Sequence, residues 1–299
     1  MILRDGLLGV LLWFGLPAPS SAAETEIACT GKAVQGGLLF CTAAPGGTLV
    51  VSGAKGEALR EVAVAEDGIA TIGLRRTEAL ELLITDKEGW APPVTIPLEE
   101  RNDPFRTIEG LDCDKVDART PEQKAHAGRS WVKKQDAFGT FHSGQGARSG
   151  FIRPSDGPPS SPFGPARKYI GIGKDGKPCE STSVHRGYDI AIPVGTEIVA
   201  PAAGTVTLGD PDLYYEGGTV FLDHGDGLVS VFLHMSEIGV SAGDIVQAGD
   251  RLGASGNTGR TTGPHLHWAV KWRNSTSDDR GKDFYIDPAL LLDLEAVSQ

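Results

Sequence analysis

The stretch His265-Leu266-His267-Trp268-Ala269-Val270-Lys271 predicts a β-strand from Leu266 to Lys271, with two histidines at its start. Side chains of a strand alternate between its faces, so His265 and His267 point the same way while Leu266 points to the opposite face. Two imidazoles side by side are costly to bury without a metal or an acidic partner. The pair therefore indicates either a metal site or a solvated strand face, and spacing alone does not decide between them.

Two other histidine segments lie upstream of this strand. His185-Arg186-Gly187-Tyr188-Asp189 combines an imidazole with a carboxylate, both good zinc donors, in a segment that we expect to be a loop entering a strand. Taken alone it is a weak motif, since a histidine four residues from an aspartate occurs often by chance. His234 ends an apolar strand, Leu228 to Leu233, and in isolation it is best interpreted as a hydrogen-bonded core residue.

Together the three segments fit one metal site. Five of the seven histidines lie between residues 185 and 267, and the first 100 residues contain none. Two histidines and one aspartate suit a tetrahedral zinc ion with water as its fourth ligand. Zinc lowers the pKa of such a water from about 15.7 to about 7, and the remaining histidines could then transfer protons and stabilise an oxyanion. The pattern predicts a hydrolytic site with no serine or cysteine nucleophile.

The residues around these segments predict a mainly β protein. Apolar runs separated by tight glycine turns indicate antiparallel strands in the C-terminal half. The predicted strands there are Ile190–Ile192, Glu197–Ala200, Thr205–Leu208, Thr219–Asp223, Leu228–Leu233 and Leu266–Lys271.

The N-terminal half shows the same pattern of apolar runs separated by turns. The strands predicted there are shorter and lie at Leu38–Phe40, Thr48–Ser52, Glu61–Val64 and Leu80–Ile84. We predict a small β-sandwich accessory domain at residues 24–110, a linker at 111–150, a second β domain at 151–292 and a tail at 293–299. In the linker, Thr120-Pro121-Glu122-Gln123 predicts the start of a helix that runs through Lys134. Residues 136–166 are too rich in Gly, Ser and Pro for a regular helix or a central strand.

The first 23 residues have the pattern of a secretory signal peptide: an apolar run from Leu7 to Leu16 followed by small residues. An uncleaved membrane anchor is the alternative, but the run is shorter than the roughly 20 residues that span a bilayer. Four cysteines follow, an even number that suggests two disulfides in an exported chain. Among the three possible pairings we favour Cys29–Cys41, since both lie in one short β segment, together with Cys113–Cys179.

The formal net charge of the chain is -11. A protein of this sign has no electrostatic reason to bind nucleic acid or anionic lipid, and no dense cluster of Lys and Arg opposes that conclusion. We therefore expect no nucleic-acid partner and no stable membrane insertion after cleavage of the signal peptide.

Residues 155–292, about half of the chain, resemble the lysostaphin-type, or LytM-like, zinc endopeptidases of peptidoglycan. The motifs that carry the resemblance are Ser160–Pro165, His185–Asp189, Ala191–Thr196, Asp223–Gly225, the strand of His234, and Gly256–His267. The resemblance implies an antiparallel β fold with a groove lined by loops.

The resemblance also implies roles for the site residues. It makes His185, Asp189 and His267 the ligands of one zinc ion, and His234 and His265 the catalytic pair beside it. His224 matches a turn of the family and is expected to be structural.

The implied function is hydrolysis of amide bonds in peptidoglycan peptides by an exported, periplasmic enzyme. Two alternatives remain at this stage. One is a non-catalytic relative that activates other wall hydrolases, and the other is a zinc peptidase acting on a protein.

Overall fold

The strand Leu266–Trp272, which carries His267, lies inside an eight-stranded sheet and separates two environments. Leu266, Trp268, Val270 and Trp272 are buried in the main hydrophobic core. The side chains between them, which include His267 and Ala269, face the other side of the sheet, where Ala269 packs in a smaller apolar cluster. We call the side of Leu266 and Trp268 the core face, and the side of His267 and Ala269 the site face.

The computed structural model describes residues 26–113, 117–173, 176–277 and 282–296. The predicted signal peptide at residues 1–23 lies outside this range. Among the described helices, none is long and apolar enough to cross a membrane.

The N-terminal half forms two small antiparallel sheets that pack together as a sandwich, with strand orders β1-β2-β5 and β4-β3-β6-β7. Leu38, Leu49 and Ile72 are buried between them. The strands are β1 (Ala28–Gly31), β2 (Leu38–Thr42), β3 (Thr48–Gly53), β4 (Ala58–Ala63), β5 (Ile69–Gly73), β6 (Glu81–Asp86) and β7 (Val94–Pro97). The predicted mainly β fold is confirmed in this half.

The main sheet of the C-terminal half has the order β18-β14-β15-β16-β20-β12-β9, and β21 pairs with β20 at its side. All of its strand pairs are antiparallel, as predicted. Its strands are β9 (Pro159–Ser161), β12 (Tyr188–Ile190), β14 (Gly204–Leu213), β15 (Gly217–Gly225), β16 (Leu228–Met235), β18 (Ile245–Val246), β20 (Leu266–Trp272) and β21 (Phe284–Ile286).

Two three-stranded sheets flank the main sheet, with orders β13-β19-β17 and β11-β10-β8. In the second of these, β8 runs parallel to β10 and so joins the chain near residue 110 to the C-terminal half. Their strands are β8 (Arg106–Asp112), β10 (Ala166–Ile172), β11 (Pro178–Val184), β13 (Glu197–Val199), β17 (Glu237–Ile238) and β19 (Arg251–Ala254).

The linker helix, α1 (Pro121–Gly139), packs on the site face of the main sheet. Its predicted start is confirmed, since Thr120 and Gln123 form a reciprocal capping box. The helix continues five residues past the predicted end at Lys134, because Phe138 is buried against Phe221 of β15 and extends the apolar contact. A 3-10 turn at Gly146–Ser149 and a short helix, α2 (Pro288–Leu291), complete the described helical elements.

Both predicted disulfides are present. Cys29 and Cys41 are directly paired residues of β1 and β2. Cys113, directly after β8, is bonded to Cys179 in β11.

The sandwich is held against the C-terminal half by packed and charged contacts. The Trp272 indole lies directly against Gly73, where a β-carbon would collide with the ring, and its Nε1–H donates to the Thr71 carbonyl at 3.1 Å. Arg148 pairs with Asp226 at 2.8 Å and also with Asp67 of the sandwich. One continuous core cluster therefore includes residues of both halves.

Candidate metal centre

Pairing of β12 with β20 places Asp189 directly opposite His267 on the site face. His185 lies in the connection between β11 and β12 and reaches the same point. Gly187, between His185 and Asp189, leaves the space that this requires, since a β-carbon there would collide with the His267 ring. The His-x-Gly-x-Asp segment thus has a steric reason for its central glycine.

The donor atoms of these three residues converge. His185 Nε2 lies 3.1 Å from Asp189 Oδ1 and 3.2 Å from His267 Nδ1, and His267 Nδ1 lies 2.8 Å from the same carboxylate oxygen. His185 and Asp189 are buried. Within the described part of the chain, this is the one group of three His, Cys, Asp or Glu residues with donor atoms close enough to share a metal ion.

The hydrogen bond of the other His185 nitrogen fixes which atom carries the proton. His185 Nδ1 lies 2.7 Å from the Pro162 carbonyl, which can only accept, so Nδ1–H is the donor and Nε2 of the neutral ring carries a lone pair. That lone pair faces a carboxylate oxygen and a second imidazole nitrogen. Such a set is satisfied by a cation at its centre.

The spacing of the donors suits zinc. In a tetrahedral site with bonds of about 2.0–2.1 Å, neighbouring donors are roughly 3.3 Å apart, close to the distances of 2.8, 3.1 and 3.2 Å. Burial raises the pKa of Asp189, but the imidazoles of His185 and His267 around the carboxylate outweigh burial and hold that pKa well below its usual range. Burial lowers the pKa of His267. The carboxylate is therefore ionised and ready to bind a cation near neutral pH.

His265 lies beside the three donors, with Nε2 3.8 Å from Asp189 Oδ1. Its Nδ1 is 2.8 Å from the Gly263 carbonyl, which makes Nδ1–H the donor and leaves a lone pair on Nε2. The side chain is 16% exposed, so a substrate could reach it.

His234 reaches the site through an unusual backbone conformation. Leu233 pairs with His267 across β16 and β20 and shares the site face, so regular alternation would turn His234 to the core face. Instead His234 has a φ of 66°, in the left-handed region that non-glycine residues rarely adopt. Its ring lies 4.9 Å from the His265 ring and 6.1 Å from the His267 ring, measured between centroids.

Two backbone carbonyls hold this conformation. The His234 amide donates to the Glu216 carbonyl at 2.9 Å, and Nδ1–H donates to the Thr258 carbonyl at 2.9 Å. Burial, with the charges of His267 and His265, lowers the pKa of His234 to about 3. The ring is therefore neutral near pH 7, with an unprotonated Nε2.

The structure brings all five predicted site residues together, and it also shows partners that side-chain patterns could not reveal. The carbonyls of Pro162, Thr258 and Gly263 each orient one histidine. A backbone carbonyl leaves no signature in residue type. Arg167 also approaches the site, 3.6 Å from Asp189 Oδ2, and it lies in β10, a strand that the sequence did not predict.

His224 lies apart from the site, as the sequence suggested. Its ring is buried, with Nδ1–H donating to the Ala203 carbonyl at 2.8 Å and Nε2 2.7 Å from the Ser230 hydroxyl. Burial lowers its pKa to about 4. Both ring nitrogens have protein partners, which is the pattern of a structural histidine.

Comparison with known proteins assigns the family. The profile described as peptidase family M23 matches residues 183–279. A crystal structure described as a peptidase M23 from Pseudomonas aeruginosa is 30% identical, with 88% of this chain and 96% of that chain covered and a TM-score of 0.58.

Curated relatives match over shorter segments. A metalloprotease of Haemophilus influenzae, itself uncharacterized, is 36% identical over 47% of this chain and 29% of its own length. Peptidoglycan DD-endopeptidase ShyA of Vibrio cholerae is 44% identical over 29% of this chain and 20% of its own length. The chain thus spans less than a third of these relatives. The resemblance found in the sequence is confirmed by the profile and by the crystal structure that is covered almost completely: the chain belongs to peptidase family M23.

Proposed function

We propose that this protein is an exported, zinc-dependent endopeptidase that hydrolyses amide bonds in the peptides of peptidoglycan. The observation that carries the proposal is the convergence of three metal-binding atoms, from His185, Asp189 and His267, beside two histidines whose Nε2 atoms carry lone pairs. The name of ShyA, a peptidoglycan DD-endopeptidase, supports the choice of substrate.

In this proposal His185 Nε2, Asp189 Oδ1 and His267 Nδ1 hold one zinc ion. When bound, the ion supplies Lewis-acid chemistry, polarising a carbonyl and making water acidic enough to ionise near neutral pH. The Pro162 carbonyl keeps His185 in the tautomer that presents Nε2, and Gly187 keeps the approach to His267 open.

His234 and His265 carry out the proton transfers of the reaction. One of them accepts a proton from the attacking water at Nε2, as a general base. The Nε2–H formed in this way can donate to the oxygen of the tetrahedral intermediate and then transfer the proton to the leaving amine. Because Nδ1 of each ring is engaged by a backbone carbonyl, the proton enters and leaves at Nε2, the other ring nitrogen.

The signal-peptide pattern of residues 1–23 supports export, which would place the enzyme in the periplasm, where peptidoglycan lies. The acidic net charge gives no support for a nucleic-acid substrate.

The proposal is tested by incubating the zinc-loaded mature protein with isolated sacculi and analysing the soluble products by mass spectrometry. We expect peptide fragments with newly formed amino and carboxyl ends, and their masses identify the bond. Absence of products despite bound zinc, together with stimulation of another wall hydrolase, would favour a non-catalytic activator. Cleavage of proteins but not of sacculi would favour a protein substrate.

A further inference from the structure

The segment Ser160–Pro165, here called the lead-in segment, lies against the metal ligand His185. The Pro162 carbonyl accepts from His185 Nδ1 at 2.7 Å. Two backbone bonds flank it, from the Gly164 amide to the His185 carbonyl and from the His185 amide to the Pro165 carbonyl, each at 2.9 Å. The position of His185 therefore depends on the position of the lead-in segment.

The opposite side of the lead-in segment is fixed by the N-terminal sandwich. Phe163 is 2% exposed, and the guanidinium of Arg101 lies over its ring at 5.2 Å. The same guanidinium donates to the Phe163 carbonyl at 3.0 Å. Gly36 of the sandwich borders the ring as well. Phe163 is thus held by its ring and by its backbone, one residue from the carbonyl that orients His185.

Arg101 is itself held rigidly. It pairs with Asp287, the cap of α2, at 2.8 Å and with Asp103 at 3.2 Å, and its amide donates to Gln35 Oε1 at 3.1 Å. Its side chain is 13% exposed. A planar guanidinium can stack on a ring and donate in several directions at once, which an ammonium group cannot do equally well.

We propose that Arg101 is a positioning residue of the metal centre. Through Phe163 it holds the Pro162 carbonyl in place, and so it sets how tightly His185 and its partners bind zinc. The inference rests on the proposed zinc function and extends it to the N-terminal half. The sandwich then supports the site, so weakening its contact with the lead-in segment reduces metal affinity and does not release activity.

The alternative is that Arg101 only adds stability to the contact between the two halves. Arg148 offers a matched control, because it also joins the sandwich to the C-terminal half and its side chain is 6% exposed. Its charged partners, Asp67 and Asp226, both lie outside the lead-in segment. Loss of Arg148 should therefore weaken the same contact between the halves without moving Pro162.

The experiment compares the wild type with Arg101→Met, Arg101→Lys and Arg148→Met. Each protein is stripped of metal, checked for folding by circular dichroism, and titrated with zinc against a chromophoric chelator. We expect Arg101→Met to lose about tenfold in zinc affinity, the lower end of the loss that follows when the outer partner of a metal ligand, here the Pro162 carbonyl, is disturbed. Arg101→Lys should lose less, and Arg148→Met should stay within about twofold of the wild type despite a lower Tm.

The outcomes separate the two proposals. A wild type that takes up no zinc overturns the proposed function and this inference with it. A wild type that binds zinc, with unchanged affinity in folded Arg101→Met, overturns this inference alone, as does an equal loss in Arg148→Met. If Arg101→Met does not fold, Arg101→Lys decides: it retains the charge, and wild-type affinity in that variant contradicts the positioning role.

Discussion

His224 and His234 lie on neighbouring strands of the same sheet, β15 and β16, and both are buried. Burial lowers both pKa values, to about 4 for His224 and about 3 for His234. Both rings donate Nδ1–H to a backbone carbonyl. They differ at the other nitrogen. Nε2 of His224 accepts a hydrogen bond from the Ser230 hydroxyl, whereas among the described residues Nε2 of His234 has no hydrogen-bond partner.

The presence or absence of a partner at Nε2 distinguishes a structural histidine from a catalytic one better than burial or the pKa does. A buried histidine whose two ring nitrogens both have hydrogen-bond partners has a structural role and no nitrogen left for a substrate. A buried histidine with one nitrogen held by a carbonyl and the other open beside a group of metal-binding atoms can accept a proton from a substrate. Backbone strain agrees with this distinction, since His234, and not His224, has a positive φ.

The largest expected effect is on turnover, which should depend on His234 but not on His224. His234→Ala should lower the rate of peptide release by about 10²- to 10⁴-fold, the range for loss of a general acid–base group. His224→Gln should keep the rate per folded molecule within about twofold, since its amide can still donate to Ala203 and accept from Ser230. Equal losses in the two variants, measured with both proteins folded, would remove the distinction.

A second prediction concerns pH and His224. The folded protein keeps His224 neutral down to about pH 4, whereas the unfolded chain protonates it below about 6.5. The unfolded state therefore binds more protons in this window, and the free energy of unfolding falls as the pH falls. The loss from His224 is about 3 kcal/mol between pH 6.5 and 4, at about 1.4 kcal/mol per pKa unit.

Urea unfolding of the wild type and His224→Gln at several pH values measures this effect. The site histidines are present in both proteins, so the difference in slope isolates His224. Parallel pH dependences in the two proteins would show that His224 is not held neutral by the fold.

The third prediction tests whether the site needs space as well as donors. Gly187→Ala should weaken zinc affinity about 10- to 100-fold, because its β-carbon would displace the His267 ring. Gly128→Ala in α1 is the control, since a β-carbon there meets no atom within 4 Å. Zinc titration of both variants checks this, and wild-type affinity in Gly187→Ala would contradict the steric argument.

The smallest effect is expected at the second partner of His224. The Ser230 hydroxyl serves His224 and also accepts from Trp268 Nε1 at 3.2 Å. Ser230→Ala leaves both groups unsatisfied and should cost about 2 kcal/mol of unfolding free energy, at roughly 1 kcal/mol for each group. Turnover should not change. A lower rate at full folding would show that this face of the sheet also affects catalysis.

Period-two alternation and local pairing explain what could be predicted from the sequence. His265 and His267 flank a single residue at the start of β20, so strand alternation places them on the same face. Cys29 and Cys41 pair across a short hairpin, so local strand pairing explains their disulfide. The sheet of β8, β10 and β11 was not predicted, because its strands are polar and the β8–β10 pairing joins segments about 60 residues apart.

The orientation of His234 could not be derived from its strand. Alternation points it to the core face, and only the Glu216 and Thr258 carbonyls, brought near by the fold, explain its left-handed backbone. Its place in the site came from the family resemblance. The same applies to the choice between His265 and His267 as a metal ligand, which spacing left open.

The central claim is that His185, Asp189 and His267 form a zinc site that hydrolyses peptidoglycan peptides. It is tested most directly by measuring bound zinc and peptide release from sacculi on the same preparations of the mature wild type and of His185→Ala. We expect one zinc ion per wild-type chain with release of peptides, and loss of both in folded His185→Ala. A His185→Ala variant that retains zinc and hydrolyses sacculi at the wild-type rate would contradict it.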